Sequence, residues 1–244
     1  MKKSFVALAA LAALASGSAF AQKAGDWVIG AGWMHLATRD SSKPLAVTWP
    51  QSTVVPGSGA SIGNSDTLGL SGEYFFNSDW SVEGVVGVPP TFKLYGTGTL
   101  APAGQLGEAK QWSPAVLAKY HFLDGQSAFR PFVGLGLSYV WYGSVKLTPG
   151  LQNYITHLNP QLAQVPPSAV ATTADLDSSF APVFNVGATY QFDKNWGLSF
   201  SLSYLPLKTT AKLTTSVAGE QKMKSQASLK INPVVTYLAV TYRF

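Results

Sequence analysis

The sequence predicts an all-β protein: an eight-stranded antiparallel up-and-down barrel that crosses a membrane. Three observations predict it. Only 12% of the 244 residues are charged, about half the usual share for a water-exposed domain, although 46% are apolar. Apolar and polar residues alternate with a period of two in segment after segment. The connections between those segments alternate strictly between short and long.

The chain opens with an address rather than a structure. Lys2 and Lys3 form a positive start, Phe5 to Ala15 an apolar run, and Ala19-Phe20-Ala21 a small-x-small cleavage site. Residues 1–21 are therefore expected to be a signal peptide and 22–244 the mature barrel domain. No later apolar run approaches the roughly 18 residues a membrane helix needs. An exported chain of this composition is either a periplasmic or secreted β-protein or a barrel of the outer membrane.

Periodicity chooses the barrel. In Thr67–Phe76 the positions Leu68, Leu70, Gly72, Tyr74 and Phe76 face one way, and Thr67, Gly69, Ser71 and Glu73 the other. Trp196, Leu198, Phe200, Leu202 and Tyr204 alternate with glycine and serines. Val234 to Phe244 repeats the beat. With Trp27–Leu36, Trp80–Tyr95, Lys110–Phe122, Phe129–Lys146 and Phe180–Phe192 the total is eight strands.

Asn77-Ser78-Asp79, residues 123–128 and Asp193-Lys194-Asn195 read as tight turns. The alternate connections, near 39–64, 96–109, 147–178 and 208–225, are long, polar and rich in Gly, Pro, Ser and Thr. This is the layout of short periplasmic turns and long extracellular loops. The aromatic residues agree: Phe76, Trp80, Phe122, Phe192, Trp196 and Phe244 lie at the short-turn end, and Trp33, Trp112, Tyr139 and Trp141 at the other, as two interfacial girdles. Helical turns are expected around Tyr154–Leu158, near Leu162.

Several collinear segments carry a family resemblance. Ala24-Gly25-Asp26-Trp27, Leu68-Gly69-Leu70 leading to Tyr74, Trp80-Ser81-Val82-Glu83, Phe129-Arg130-Pro131-Phe132-Val133-Gly134, Thr209-Thr210-Ala211, Asn232-Pro233 and the terminal Tyr242-Arg243-Phe244 resemble the OmpW family of small bacterial outer-membrane proteins. The resemblance spans the mature chain. It implies an eight-stranded barrel whose narrow, partly hydrophobic lumen passes small apolar molecules across the outer membrane, with lateral release into the bilayer. It also places channel-lining positions on strands three and seven, here Val85 and Ser203, where Ser203 replaces the expected bulky aromatic.

The lumen is legible without the family. If Leu68 and its partners face lipid, the inward charges are Glu73, Glu83, Lys119, Arg130 and Arg243, with His121, all toward the short turns. They are expected to form a paired network that closes the periplasmic half, either as structure or as a gate. Above them the inward positions turn small or apolar: Val85, Gly87, Pro89, Val140, Val183, Ser203, Leu205 and Tyr237 are the expected channel lining. Pro89, Pro90, Pro114, Pro131, Pro182 and Pro233 each remove a ladder donor, so that strands can part in the outer half and open a side exit; Pro131 and Pro233 read equally as prolines at strand starts or bulges with no transport role.

Catalysis and cofactors are not expected. There is no cysteine, His35, His121 and His157 meet no nucleophile elbow, no metal-ligand cluster appears, and the positive charge is too scattered for nucleic acid. The expected partners are small apolar solutes, outer-membrane lipid, lipopolysaccharide through Lys208, Lys212, Lys222, Lys224 and Lys230, and the barrel-assembly machinery through Phe244. The competing reading is a structural or receptor barrel with a plugged lumen and activity in its loops.

Overall fold

The computed structural model describes residues 22–158, 162, 164–166 and 169–244; the expected signal peptide, residues 1–21, lies outside them. β1 (Trp27–Ala37) rises from the periplasmic end, and the connection after it folds into β2 (Ser41–Ser42), β3 (Ala46–Trp49), β4 (Thr53–Val54) and β5 (Ser58–Ile62) before β6 (Ser65–Phe75) descends. β7 (Trp80–Gly87) rises and, after a break, continues as β8 (Thr91–Gly98). β9 (Gln105–Trp112) returns and leads through a second break into β10 (Ala115–His121). β11 (Phe129–Leu147) rises unbroken to the helix α1 (Pro149–His157), and β12 (Val170–Leu176) precedes the descending β13 (Ser179–Gln191). β14 (Trp196–Tyr204) rises into the hairpin of β15 (Lys208–Val217) and β16 (Glu220–Lys230), and β17 (Val234–Arg243) comes down to the C-terminus.

Eight of these strands close on themselves. β1 pairs with both β6 and β17, so that Trp33 stands opposite Leu68 on one side and Leu238 on the other. The ring continues through β7, β10, β11, β13 and β14, with Leu117 opposite Gly136 where β10 meets β11. Closure gives the backbone donors along these ladders acceptors on neighbouring strands, so the sheet has no open edge in the hydrocarbon. A barrel this small curves tightly. A Cβ on Gly32 would run into the Leu238 carbonyl and one on Gly136 into that of Val116, so glycine is required at both.

Burial follows the alternation of the sequence. Along β11 Leu135 and Leu137 are 59% and 61% exposed on the outer face, whereas Phe132 and Val140 are buried inside. An apolar belt of this extent suits lipid, not water. Aromatic rings bound the belt. At the periplasmic edge Trp27 packs on Tyr74, Trp80 on Tyr120, and Trp196 on Tyr242, which meets Phe244. At the outer edge Trp112 stacks on Trp141, and Tyr139 bridges Trp141 and Phe180.

The short turns share one device. The Asn77 side-chain oxygen accepts from the Asp79 and Trp80 amides, both at 2.8 Å, and that of Asp193 accepts from Asn195 and Trp196 at the same distance.

The extracellular side departs from expectation. The long connections are mostly strands, in which β15 and β16 join β12, β2 and β3 in a second sheet, and β5, β8 and β9 extend the wall beside the upper half of β11. Their Ser- and Thr-rich composition reads as loop, yet Thr209, Leu213 and Thr215 point inward and are buried. Two expected strands are also divided. Trp80–Tyr95 breaks at 88–90 and Lys110–Phe122 at 113–114, where Pro89, Pro90 and Pro114 supply no N–H. Pro131 and Pro182 stay within their strands. The expected helical turns form α1, which buries Leu151 and Ile155 against Leu100, Leu106, Leu213 and Met223.

Leu135 lies midway along the membrane-spanning part of β11. Leu135→Arg should destabilise the barrel by about 2–4 kcal/mol, measured by urea unfolding in phospholipid vesicles, with no change in strand content before the transition. Two backbone donors hold the Asp193 carboxyl below its ordinary range, so its stabilising effect is complete above the unfolded value and is lost as pH falls through the lowered one. Asp193→Asn should remove that part of the acid sensitivity, seen as a smaller fall in unfolding midpoint on acidification.

Candidate functional site

The lumen is built in layers, and the lowest is ionic. β6 and β7 place Glu73 directly opposite Glu83, and β10 brings Lys119 beside them, opposite Ser81. Two carboxylates facing each other across a ladder repel. The Lys119 ammonium resolves this by lying 2.6 Å from Glu83 and 3.6 Å from Glu73, over the face of Phe132. Glu73 also accepts from the Ser81 hydroxyl at 2.5 Å and lies 2.9 Å from His121 Nε2. The His121 ring is held between Phe75 and Phe132. All of these groups are buried.

Arg130 and Arg243, expected in the same network, bond chiefly to the periplasmic turns beneath it. Arg130 bonds Gln22 and the Leu123 carbonyl and lies 3.6 Å from Asp79. Arg243 donates to the Lys194 carbonyl at 2.9 Å and lies 3.9 Å from Asp26. Both long side chains reach past the ion-pair layer to the turns, whose free carbonyls are the acceptors available to them. They close the periplasmic end, and Gln22, which the sequence reading passed over, joins them.

Above the ions lies a cavity of about 70 Å³. Six of the expected lining residues meet there: Val85, Gly87, Val183, Ser203, Leu205 and Tyr237. Pro89 and Val140 do not line it. The proline on the wall is Pro90, because the break shifts the alternation by one and Pro90, not Pro89, is the buried residue. Val140 is fully buried in the layer above, packed with Met34, Leu36, Phe92, Ala181, Leu207 and Ile231. Met34, Leu36 and Leu117 complete the apolar wall of the cavity and were missed. Their inward beat on β1 and β10 was the available signal. The polar exceptions are mostly paired: Asn185 donates to Ser203 at 2.8 Å and the Tyr237 hydroxyl to the Gly69 carbonyl at 3.3 Å.

That packed layer separates the lower cavity from two upper ones, of about 20 and 80 Å³, which share Leu94, Ala109, Leu176 and Leu229. The upper pair is enclosed by the extracellular sheets, with Leu151 of α1 at its edge. The walls are almost wholly apolar, so a solute entering here would lose polar hydration without replacement.

The side wall is weakest beside the lower cavity. The β7–β10 ladder ends at the pair Val85–Ala115, and pairing resumes where Gln111 donates to the Pro90 carbonyl. Between them, no ladder pair joins 86–89 to 112–114 among the described residues. Gly87, Pro90, Ser113 and Ala115, which flank this gap, all line the cavity.

The histidines do not assemble a reactive centre. His35 lies 2.8 Å from Asp66 on the outer face, stacked on Trp33, and His157 lies 2.6 Å from the Asn153 carbonyl on α1. Among the described residues no group of three metal-ligating side chains occurs.

Lys119→Met should cost about 3–5 kcal/mol, because it leaves Glu73 and Glu83 buried and opposed without a cation. Removing both charges as well, in Glu73→Gln/Glu83→Gln/Lys119→Met, should recover most of that loss. Urea unfolding of the three proteins in vesicles measures both.

The sequence pattern of the OmpW family matches residues 23–244. Outer membrane protein W of Vibrio cholerae serotype O1 is 31% identical over 246 residues, covering 100% of both chains. The dibenzothiophene metabolism operon protein PahQ of Pseudomonas aeruginosa is 28% identical over 190 residues, covering 78% of this chain and 77% of its own. The crystal structure of the outer membrane protein OprG from Pseudomonas aeruginosa superposes with a TM-score of 0.78 at 24% identity, over 93% of this chain and 99% of that one.

Proposed function

The chain belongs to the OmpW family of outer-membrane barrels, and from that premise we propose that it passes small hydrophobic molecules across the outer membrane without catalysis. The observation that carries this reading is the order of the layers. Apolar cavities run down the axis from the extracellular side and end on a buried ion-pair floor, and just above that floor, beside the lowest cavity, the wall ladder is interrupted. An apolar solute is accepted from above, is refused by the charges below, and leaves sideways through the gap at 86–89 and 112–114 into lipid. The packed layer of Val140, Phe92 and Leu207 must part for it to pass. The relative PahQ, named for dibenzothiophene metabolism, fits a solute of this chemistry.

The remaining parts of the proposal concern export and surroundings. Residues 1–21 are the signal peptide that delivers residues 22–244 to the membrane. Phe244, in contact with Tyr242 at the periplasmic girdle, is the end that the barrel-assembly machinery recognises. Lipopolysaccharide surrounds the extracellular sheet.

A second reading, a plugged structural or surface-interaction barrel, is favoured by that same packed layer together with the closed ion-pair floor. Uptake into liposomes carrying the refolded protein separates the two. Naphthalene should enter faster than into protein-free liposomes, a polar sugar of similar size should not, and Val85→Arg should return naphthalene to the protein-free rate. Equal entry with and without folded protein would favour the plugged barrel.

A further inference from the structure

Just above the lipid-facing belt, one face of the extracellular sheet collects cations that have nothing to hold. β15 and β16 pair with Lys208 directly opposite Lys230, and β2 sets Ser41 on the other side of Lys230. Lys43 follows, its amide donating to the Ser228 carbonyl at 2.9 Å. These three lysines are exposed, and among the described residues none has an acidic partner. The carboxylate in their groove, Asp177, is already held by Lys212 at 2.6 Å. Like charges directly opposed on one face of a sheet destabilise it. An anion placed between them removes the repulsion.

The groove they border has a volume of about 620 Å³ and is edged by hydroxyls. Among the described residues those of Ser41, Thr210 and Ser228 bond no protein atom, so they are free to donate alongside the ammonium groups. Ammonium and hydroxyl donors around an open groove are the chemistry of phosphate recognition. Its height selects the source. Lys208 follows the exposed Tyr204 of the outer rim by four residues, at most about 13 Å of chain, which puts the groove at headgroup level.

We infer that this groove binds the phosphate groups of lipopolysaccharide in the outer leaflet, with Lys208 and Lys230 as the central pair. The inference rests on the lipopolysaccharide contact proposed above and not on transport. It also corrects the expected lysine set. Lys212 is taken by Asp177 and Lys222 by Glu220, while Lys43, on a distant stretch of chain, joins the groove.

The test uses the refolded mature protein, the double variant Lys208→Gln/Lys230→Gln, and the hairpin-tip variant Lys222→Gln/Lys224→Gln. Native mass spectrometry counts the glycolipid each retains from phosphatidylcholine vesicles doped with bis-phosphorylated or dephosphorylated lipid A. The wild type and the tip variant should retain the phosphorylated form only. The double variant should bind it roughly twenty-five-fold more weakly, about a factor of five for each lysine lost. An unfolding midpoint of the double variant without glycolipid at or above that of the wild type, as relief of the Lys208–Lys230 repulsion requires, separates lost binding from lost fold. Equal retention by wild type and double variant would overturn the groove while leaving the contact standing. A wild type that retains neither form would overturn the contact itself, and equal retention of both forms would overturn phosphate recognition.

Discussion

Within hydrocarbon an unbonded backbone N–H or C=O costs several kcal/mol, and the closed architecture of this molecule follows from that cost. A sheet avoids it only by closing. Closing eight strands fixes a lumen just wide enough for side chains to fill, and alternation along each strand then commits half the residues to that lumen. Any charge on the inward beat must find its partner inside the barrel. Glu73 and Glu83 are forced into opposition by the β6–β7 register, and Lys119 on β10 is the residue that makes the opposition tolerable.

How far the sequence reveals this depends on what surrounds each strand. Between the girdles, lipid on one side and a packed lumen on the other impose a strict period of two, and all eight spans can be found from it. Above the girdles the outer face meets water. There Lys208, Lys212, Lys224 and Lys230 share their strands with Thr209, Leu213 and Met223, and the mixture reads as loop although the ladder continues. Prolines were legible as weak points, but only the pairing register shows that Pro89, Pro90 and Pro114 converge on one gap whereas Pro131 and Pro182 sit inside intact ladders.

The lumen residues divide in the same way. Glu73, Glu83, Lys119 and His121 could be grouped because they share a depth and the inward beat of three adjoining strands. Arg130 and Arg243 could not be placed by depth, because their longer side chains reach the turn carbonyls instead. Val140 is inward as its beat requires, yet the sequence does not say that Phe92 and Leu207 arrive from the extracellular extension to bury it. Which inward residues border a cavity and which are packed away is settled by partners distant in the chain.

The two aromatic rings differ in how they are joined. At the periplasmic edge contacts join three separate strand pairs spaced round the ring, through Trp27 with Tyr74, Trp80 with Tyr120 and Trp196 with Tyr242, whereas the stacking at the outer edge, of Trp112, Trp141, Tyr139 and Phe180, is gathered on β9, β11 and β13. The barrel is therefore moored most firmly at its periplasmic end, and a change in bilayer thickness is taken up at the outer rim. A thicker leaflet draws acyl chains upward along the wall toward the unpaired stretch beside Pro90 and Ser113, and a thinner one uncovers it. Membrane thickness thereby becomes a variable acting on how far that stretch of wall is bathed in hydrocarbon.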